Sequence, residues 1–377
     1  GGIFYAKKIV IPATVKQIDF GGVNWRDKEL EVAPGNPVYK VKNNILYTAD
    51  GKTVVFSSKQ SGTVKIADGV KTIAGEAFHG SDLTALELPK SLEKIEKGAF
   101  ENCTKFRRIK VSAKNPYMME KAGALYTKNG KKLLYAGVAR GTLMLPKKTT
   151  QIAANAFYGN TTVEMVFIQG KMKKLVKKSL AFSRIKDVTL PDSLLEIEEG
   201  AFMYCSKLAD VEIPKSVKKI GANAFDGCYE MERVVLPKKL TTLEKETFRN
   251  CYSLRKIDLP KSLRTIKAGT FESCGFNQLI IPKSVKSIGK NALQVTTKKL
   301  IFKGKNVPKI AKQNACQYGK YAGNTDPDFD LGVVRLDYID IQYPMQHGIG
   351  KVKVPAESTG KYKKALKGKM EYRELEY

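Results

Sequence analysis

Between Pro191 and Pro282 the apolar residues fall at fixed distances behind each proline. In the unit opened by Pro237 they stand three, six and eleven residues on, at Leu240, Leu243 and Phe248, then seventeen, twenty and twenty-two on, at Leu254, Ile257 and Leu259. Pro191, Pro214, Pro237 and Pro260 lie 23 residues apart, and Pro282 follows after 22. The positions between are mostly polar, lysine above all. A unit this short cannot bury its apolar face alone, so copies must stack on one another into a solenoid. Proline cannot donate to a strand ladder and so ends the strand before it. The Ala-Phe stretch between the two apolar sets is too short for a stable helix, which predicts one irregular or 3₁₀-like turn there.

The L-x-x-L-x-L spacing within a period of 20–29 residues is that of a leucine-rich repeat. The predicted fold is a mainly β leucine-rich-repeat solenoid, a curved right-handed coil with one short parallel strand per repeat, β-hairpin insertions and irregular caps. Residues 1–66 read as an N-terminal cap and a first hairpin module. A degenerate rung at 9–32 carries Pro12, Val15 and Ile18 at the repeat's offsets, and the runs NNILYT and KTVVFS flank Ala49-Asp50-Gly51, a tight-turn signal. Residues 67–310 read as the repeats, with Ala67 in the first proline's place and Gln169-Gly170 opening a 22-residue variant. A second hairpin insertion at about 112–145 resembles residues 33–60: NPYM answers NPVY, and A-L-Y-T answers I-L-Y-T. Leu293 stands where Phe is expected, and residues 311–377 read as a C-terminal cap. Its non-repetitive segment at 316–350 includes the alternating VVRLDYIDI, expected to be a strand; KVKV then predicts another strand, followed by a Ser-Thr-Gly break and a short basic helix.

Charge adds a question about partners. Lys and Arg number 66 against 37 Asp and Glu, a formal net charge of +29, which favours non-specific attraction to anions and says nothing of fold. The lysines are scattered through the repeats rather than gathered in a tail. No run of 18 or more apolar residues is present. Gly1-Gly2 in place of a methionine reads as an expression scar, so a signal peptide is expected to have been removed ahead of it.

Five of the six cysteines, Cys103, Cys205, Cys228, Cys251 and Cys274, recur three residues after the repeat's phenylalanine. The sixth, Cys316, follows Ala315. No C-x-x-C metal spacing occurs. Equivalent Cα atoms on stacked rungs lie about 4.8 Å apart, within disulfide range, but side chains in one column point the same way and pair poorly. Ser81 and Asn160 share the column, which implies free structural thiols at a small, buried, hydrogen-bonding turn position.

The unit L-x-x-L-x-[IL]-P-x-S-[LV]-x-x-I-x-x-x-A-F-x-x-C resembles the BspA-like, or Treponema pallidum type, branch of leucine-rich repeats. Ala201-Phe202, Ala224-Phe225 and the Pro-Lys-Ser runs at 214–216, 260–262 and 282–284 carry the likeness, with the Asn-Pro hairpins and the closing VPAESTGKYKKAL. It covers nearly the whole chain apart from 316–350. The resemblance implies a secreted or surface-attached bacterial protein, acting in adhesion by binding host or bacterial surface proteins, with no catalytic motif to carry over.

Candidate binding residues follow from the stacking. The residue after each proline is Lys90, Lys147, Lys215, Lys238, Lys261 or Lys283, a basic stripe interrupted by Gly170 and Asp192 and suited to an anionic glycan or cell-wall polymer. The outward strand position two before the proline holds Lys110, Phe167, Thr189, Glu212, Val235, Asp258 and Ile280, among which Phe167, Val235 and Ile280 are candidate anchors for a protein partner. Asp326, Asp328, Asp330 and Asp337 have partial calcium-loop spacing, but Gly332 falls one place late and no helices flank the loop, so a polar turn is the preferred reading. His79 and His347 stand without a nucleophile motif, no phosphate-cradling glycine motif occurs, and Trp25 reads as cap packing. The expected function is a non-enzymatic adhesin-like protein-binding module, with polyanion binding or a structural spacer as alternatives; neither a cofactor, a metal nor specific nucleic-acid binding is expected.

Overall fold

The computed structural model describes residues 7–20, 25, 27–58, 60–313, 349–370 and 372–376. They form two compact units, residues 1–140 with 158–160, and residues 141–157 with 161–377. Each is a mainly β solenoid of parallel rungs, as the spacing predicts.

In the first unit Lys8–Ile11 pairs in parallel with Glu29–Val32. Phe20 stacks on Phe56 at 4.6 Å and meets the edge of Trp25 at 5.4 Å, so the single tryptophan packs the end of the core. Each predicted hairpin has a third strand. Tyr39–Lys42, Ile45–Thr48 and Thr53–Ser57 form one antiparallel meander, and Met118–Lys121, Ala124–Thr127 and Lys132–Tyr135 form the other. Asn43 and Asn44 turn the first corner with φ of 52° and 56°, the left-handed values a two-residue hairpin demands. Beyond the first meander the parallel ladder runs through Ser61–Lys65, Asp82–Leu88 and Arg108–Val111.

In the second unit the strands ahead of the prolines stack in parallel groups. Gly141–Leu145, Val163–Ile168 and Asp187–Thr189 form one, Asp210–Glu212, Arg233–Val235 and Lys256–Ile257 the next. A third begins with Gly275–Ile281, Thr296–Phe302 and Ile349–Lys353. Gly141–Leu145 thus belongs to this ladder, although the sequence places it inside the second insertion. One strand per repeat was expected, and a second, two-residue strand five and six residues after the proline is also present, as in Glu196–Ile197 against Lys219–Ile220.

The inward positions are as the pattern requires. Leu240, Leu243, Phe248, Leu254 and Ile257 are buried, Leu259 half-buried, and Phe202, Phe225, Phe248 and Phe271 form a stack with centroids 5.0, 5.4 and 5.9 Å apart. The Ala-Phe segment is irregular rather than helical. Two left-handed residues, nine and thirteen places after the proline, divide it into successive tight turns; Gly200 (φ 60°) and Tyr204 (φ 55°) are one such pair. Between them alternate amides reach the next rung, Phe202 N donating to Ala224 O at 2.8 Å and Tyr204 N to Asp226 O at 2.7 Å, which satisfies backbone that no strand pairs.

The C-terminal end departs from the expected break. Thr359 and Gly360 begin the helix Thr359–Leu366 instead of interrupting the chain before it. Its buried Tyr362 donates to Gly304 O at 2.7 Å and lies against Phe302, covering the last rung. The calcium-like aspartates 326, 328, 330 and 337, Gly332, Cys316, His347 and the strand expected within 316–350 lie outside the described residues, apart from Ile349 and Gly350, which open a strand.

Candidate binding surface

The outward residues of the second unit's strands form two rows. Two places before the prolines, Met144 pairs with Phe167 and Phe167 with Thr189; Glu212 pairs with Val235; Ile280 pairs with Ile301 and Ile301 with Lys353. The three sequence-predicted anchors therefore do not converge. Phe167 and Val235 are three rungs, about 14 Å, apart with Thr189 and Glu212 between them, and charged Asp258 separates Val235 from Ile280. Val235 is 39% exposed and flanked by acids in its row.

What the fold does bring together is Phe167 with two methionines. Met144, 58% exposed, sits beside it in register, and Met165 lies on the same strand two residues away, with Thr142 Oγ1 donating to its sulfur at 3.8 Å. Met144 was hidden because residues 141–145 read as insertion; their alternating G-T-L-M-L ahead of Pro146 is the signal that exposes them as a strand. Farther along, Asp210 and Arg233 pair at 3.5 Å, both well exposed, an ion pair of little energetic weight.

All six sequence-predicted lysines are exposed. Lys90, in the first unit, lines a shallow groove with Lys71, Glu93, Lys114 and the 47%-exposed Tyr117. In the second unit Lys147 is cut off from the other four. Gly170 has no room for a side chain, since a Cβ would lie 1.9 Å from Thr149 O, and Asp192 follows in the next rung. Lys215, Lys238, Lys261 and Lys283 then occupy four consecutive rungs. The serine beside two of them serves the fold: Ser216 donates to Leu194 O and Ser262 to Leu240 O, each at 2.7 Å.

A buried polar cluster escaped the sequence reading altogether. Asp226 accepts from Asn250 Nδ2 at 3.1 Å and Asn223 Nδ2 at 3.3 Å; Asn223 also donates to Glu246 at 2.8 Å, and Arg249 pairs with Glu246 at 3.3 Å. Burial pushes the Asp226 carboxyl up to about 6 against the pull of Arg249. Burial also raises Glu272, again opposed by Arg249, whereas Asn223, Arg249 and Lys245 together outweigh burial at Glu246 and hold it low. His79 meets Asn102 at 2.9 Å in a repeat turn. Among the described residues no group of three or more His, Cys, Asp or Glu is arranged to hold a metal ion.

The model of the BspA type leucine-rich-repeat region matches this sequence in six copies, in overlapping stretches at residues 52–176, 130–251 and 173–301. The chain belongs to the BspA-type leucine-rich-repeat family. Among solved structures it is similar to a leucine-rich repeat protein from Eubacterium ventriosum, with 19% identity over 76% of this chain and 75% of that one and a TM-score of 0.48. It is also similar to the pneumococcal vaccine antigen PcpA, with 15% identity over 98% and 78% and a TM-score of 0.43. A third is a leucine-rich cell surface protein from Faecalibacterium prausnitzii, with 16% identity over 70% and 88% and a TM-score of 0.35. No curated protein matches the chain significantly.

The cysteine of the BspA-type repeat now has a structural account. Each thiol lies within hydrogen-bonding distance of the carbonyl eleven places into the preceding rung: Cys228 of Phe202 O at 3.3 Å, Cys251 of Phe225 O at 3.2 Å and Cys274 of Phe248 O at 3.0 Å. The five described thiols are free. Burial pushes Cys205 up to about 12 and raises Cys228 and Cys251 well above the usual thiol range. Among the described residues no helix is long and apolar enough to cross a membrane.

Proposed function

We propose that this chain is a non-enzymatic binding module of a secreted or cell-surface bacterial protein, and that it engages a protein on a host or neighbouring cell through the outward face of its strands. The observation that supports this is the group formed by Met144, Met165 and Phe167. Exposed apolar residues scattered singly are ordinary, but adjacent large side chains on one open face are the material of interface anchors, and methionine adapts readily to a partner's shape. Solenoids offer such faces as a matter of architecture.

The test is binding of purified extracellular-matrix and bacterial surface proteins to the chain and to Met144→Glu/Phe167→Glu. A partner that uses this face should bind the double variant about tenfold or more weakly, with an unchanged circular dichroism spectrum. Partners that bind both proteins equally, or a panel in which none binds, would overturn the assignment of this face and favour a spacer role.

A further inference from the structure

The cations of the second unit are not spread evenly. The five residues beginning at each of Pro214, Pro237, Pro260 and Pro282 contain eight Lys or Arg and no Asp or Glu. Each rung supplies two. One row, directly after the prolines, is Lys215, Lys238, Lys261 and Lys283. A second row, four places after the prolines, holds Lys218, Arg264 and Lys286. Rung 237 has Thr241 there and compensates with Lys239 in the place the other three rungs give to serine. All eight are exposed, and among the described residues none of them takes part in an ion pair.

Their spacing is fixed by backbone. Arg264 N donates to Thr241 O and Lys286 N to Arg264 O, both at 2.8 Å, so successive residues of the second row sit on directly bonded rungs. The first row is bounded at both ends, while exposed Lys309, whose amide donates to Lys286 O at 2.8 Å, follows the second row on the next rung. Asp192 and Leu195 occupy the two rows one rung before the array, and Gly304 occupies the first row one rung after it, where Lys305 is paired with Glu357 at 2.8 Å. Elsewhere the unit does neutralise its lysines across rungs, as where Glu196 meets both Lys174 and Lys219 at 2.7 and 3.0 Å. The absence of acids on this edge is therefore local.

We propose that this proline edge is a binding site for a linear anionic surface polymer with regularly repeating sulfate or phosphate groups. One row of cations repeating about every 4.8 Å along some 14 Å, beside a second row interrupted at a single rung, fits a polymer whose charges also repeat, whereas a folded acidic protein presents its charges irregularly. The twenty residues concerned include no Phe, Tyr or Trp. Single-stranded nucleic acid, which is held by bases stacking on aromatic rings as well as by charge, finds nothing to stack on. The carrier of the charge is sulfate on a host-type glycan or phosphate on a cell-wall polymer. This edge and the strand face that bears Met144 are different surfaces, so either can fail without the other.

The experiment measures affinity of the full chain for immobilised heparin and for lipoteichoic acid, with Lys238→Gln/Lys261→Gln compared against Lys290→Gln/Lys298→Gln. The second pair removes the same charge from exposed positions away from the edge. Expected is binding to at least one polymer that weakens by an order of magnitude or more between about 50 and about 300 mM salt. The edge variant should bind about tenfold more weakly than the control variant. Binding to heparin alone assigns sulfate, to lipoteichoic acid alone phosphate, and to both the shared chemistry; each supports the site. Equal losses in the two variants, no binding to either polymer at low salt, or tighter binding of a single-stranded oligonucleotide than of both polymers would overturn it. Neutral glutamine keeps the fold test simple, and matching thermal midpoints separate lost binding from unfolding.

Discussion

Asn115 donates from its amide to the carbonyl of Pro89, 26 residues earlier, at 2.9 Å, and only 1% of its surface is exposed. The same nitrogen donates to Leu92 O at 2.9 Å, while its oxygen accepts from the amides of Tyr117 and Met118 at 2.8 and 2.9 Å. Asn36 repeats all four bonds on Pro12, Val15, Val38 and Tyr39. The Asn of each Asn-Pro run therefore latches a meander to the corner of the rung before it. Asn115→Ala should lower stability by about 3 kcal/mol, since it strands several buried partners. Asn36→Ala should cost less, because Asn36 is half-exposed and water can replace the lost bonds. Urea midpoints decide; equal, small shifts in both variants would refute the latch.

The thiol column should be chemically silent in the native protein. Thiolate is the reactive form, and burial holds Cys205, Cys228 and Cys251 far from ionising at neutral pH. Maleimide labelling followed by peptide mapping is expected to leave these three and the buried Cys274 unmodified in buffer and to modify them in denaturant. Half-buried Cys103 should label at an intermediate rate. Fast native labelling of Cys228 or Cys251 would show that the column opens.

The repeat was legible because its inward Leu, Phe and Cys are tied to prolines whose spacing survives stacking. The second ladder was not, since two residues such as Glu196 and Ile197 carry no periodicity of their own and pair only because the rungs on either side hold them in place. Met144 and Asn115 were missed for a related reason: both lie where the count is interrupted, and their roles come from contacts with a rung more than twenty residues away. The lysine stripe was visible as a column, but its limits were set by packing, through the missing space at Gly170, and its second row emerged only when the rungs were aligned.

Left-handed positions offer a test of backbone strain. Glu76 holds φ of 62° at the same place in its repeat where Gly98, Gly200 and Gly269 stand in theirs, and its side chain is exposed. Glu76→Gly should stabilise by about 0.5 kcal/mol, the relief of left-handed strain less the entropy glycine loses on folding. Gly227→Ala should destabilise by about 2 kcal/mol, because φ is 73° and the new Cβ would lie 2.6 Å from the Tyr204 ring. Thermal midpoints moving in the same direction for both variants would contradict this account.

Asp226 should make stability fall as pH rises through the mildly acidic range. Its folded pKa, raised by burial to about 6, exceeds the ordinary value of 3.8, so the folded chain holds this proton more tightly than the unfolded chain does. The group therefore favours folding below about pH 4. That contribution is lost between about pH 4 and pH 6, amounting to at most about 3 kcal/mol at neutral pH. Arg249, Asn223 and Asn250 moderate the effect by favouring the charged form, and Glu246 opposes them. Asp226→Asn cannot ionise and keeps an oxygen to accept one of the two asparagine donors. Urea denaturation of the two proteins from pH 4 to pH 7 should show the variant gaining on the parent as pH rises, most steeply near pH 5, midway between the two values. A constant difference across that range would mean that the carboxyl is already ionised in the folded chain at pH 4, with Arg249 and the two asparagines outweighing its burial.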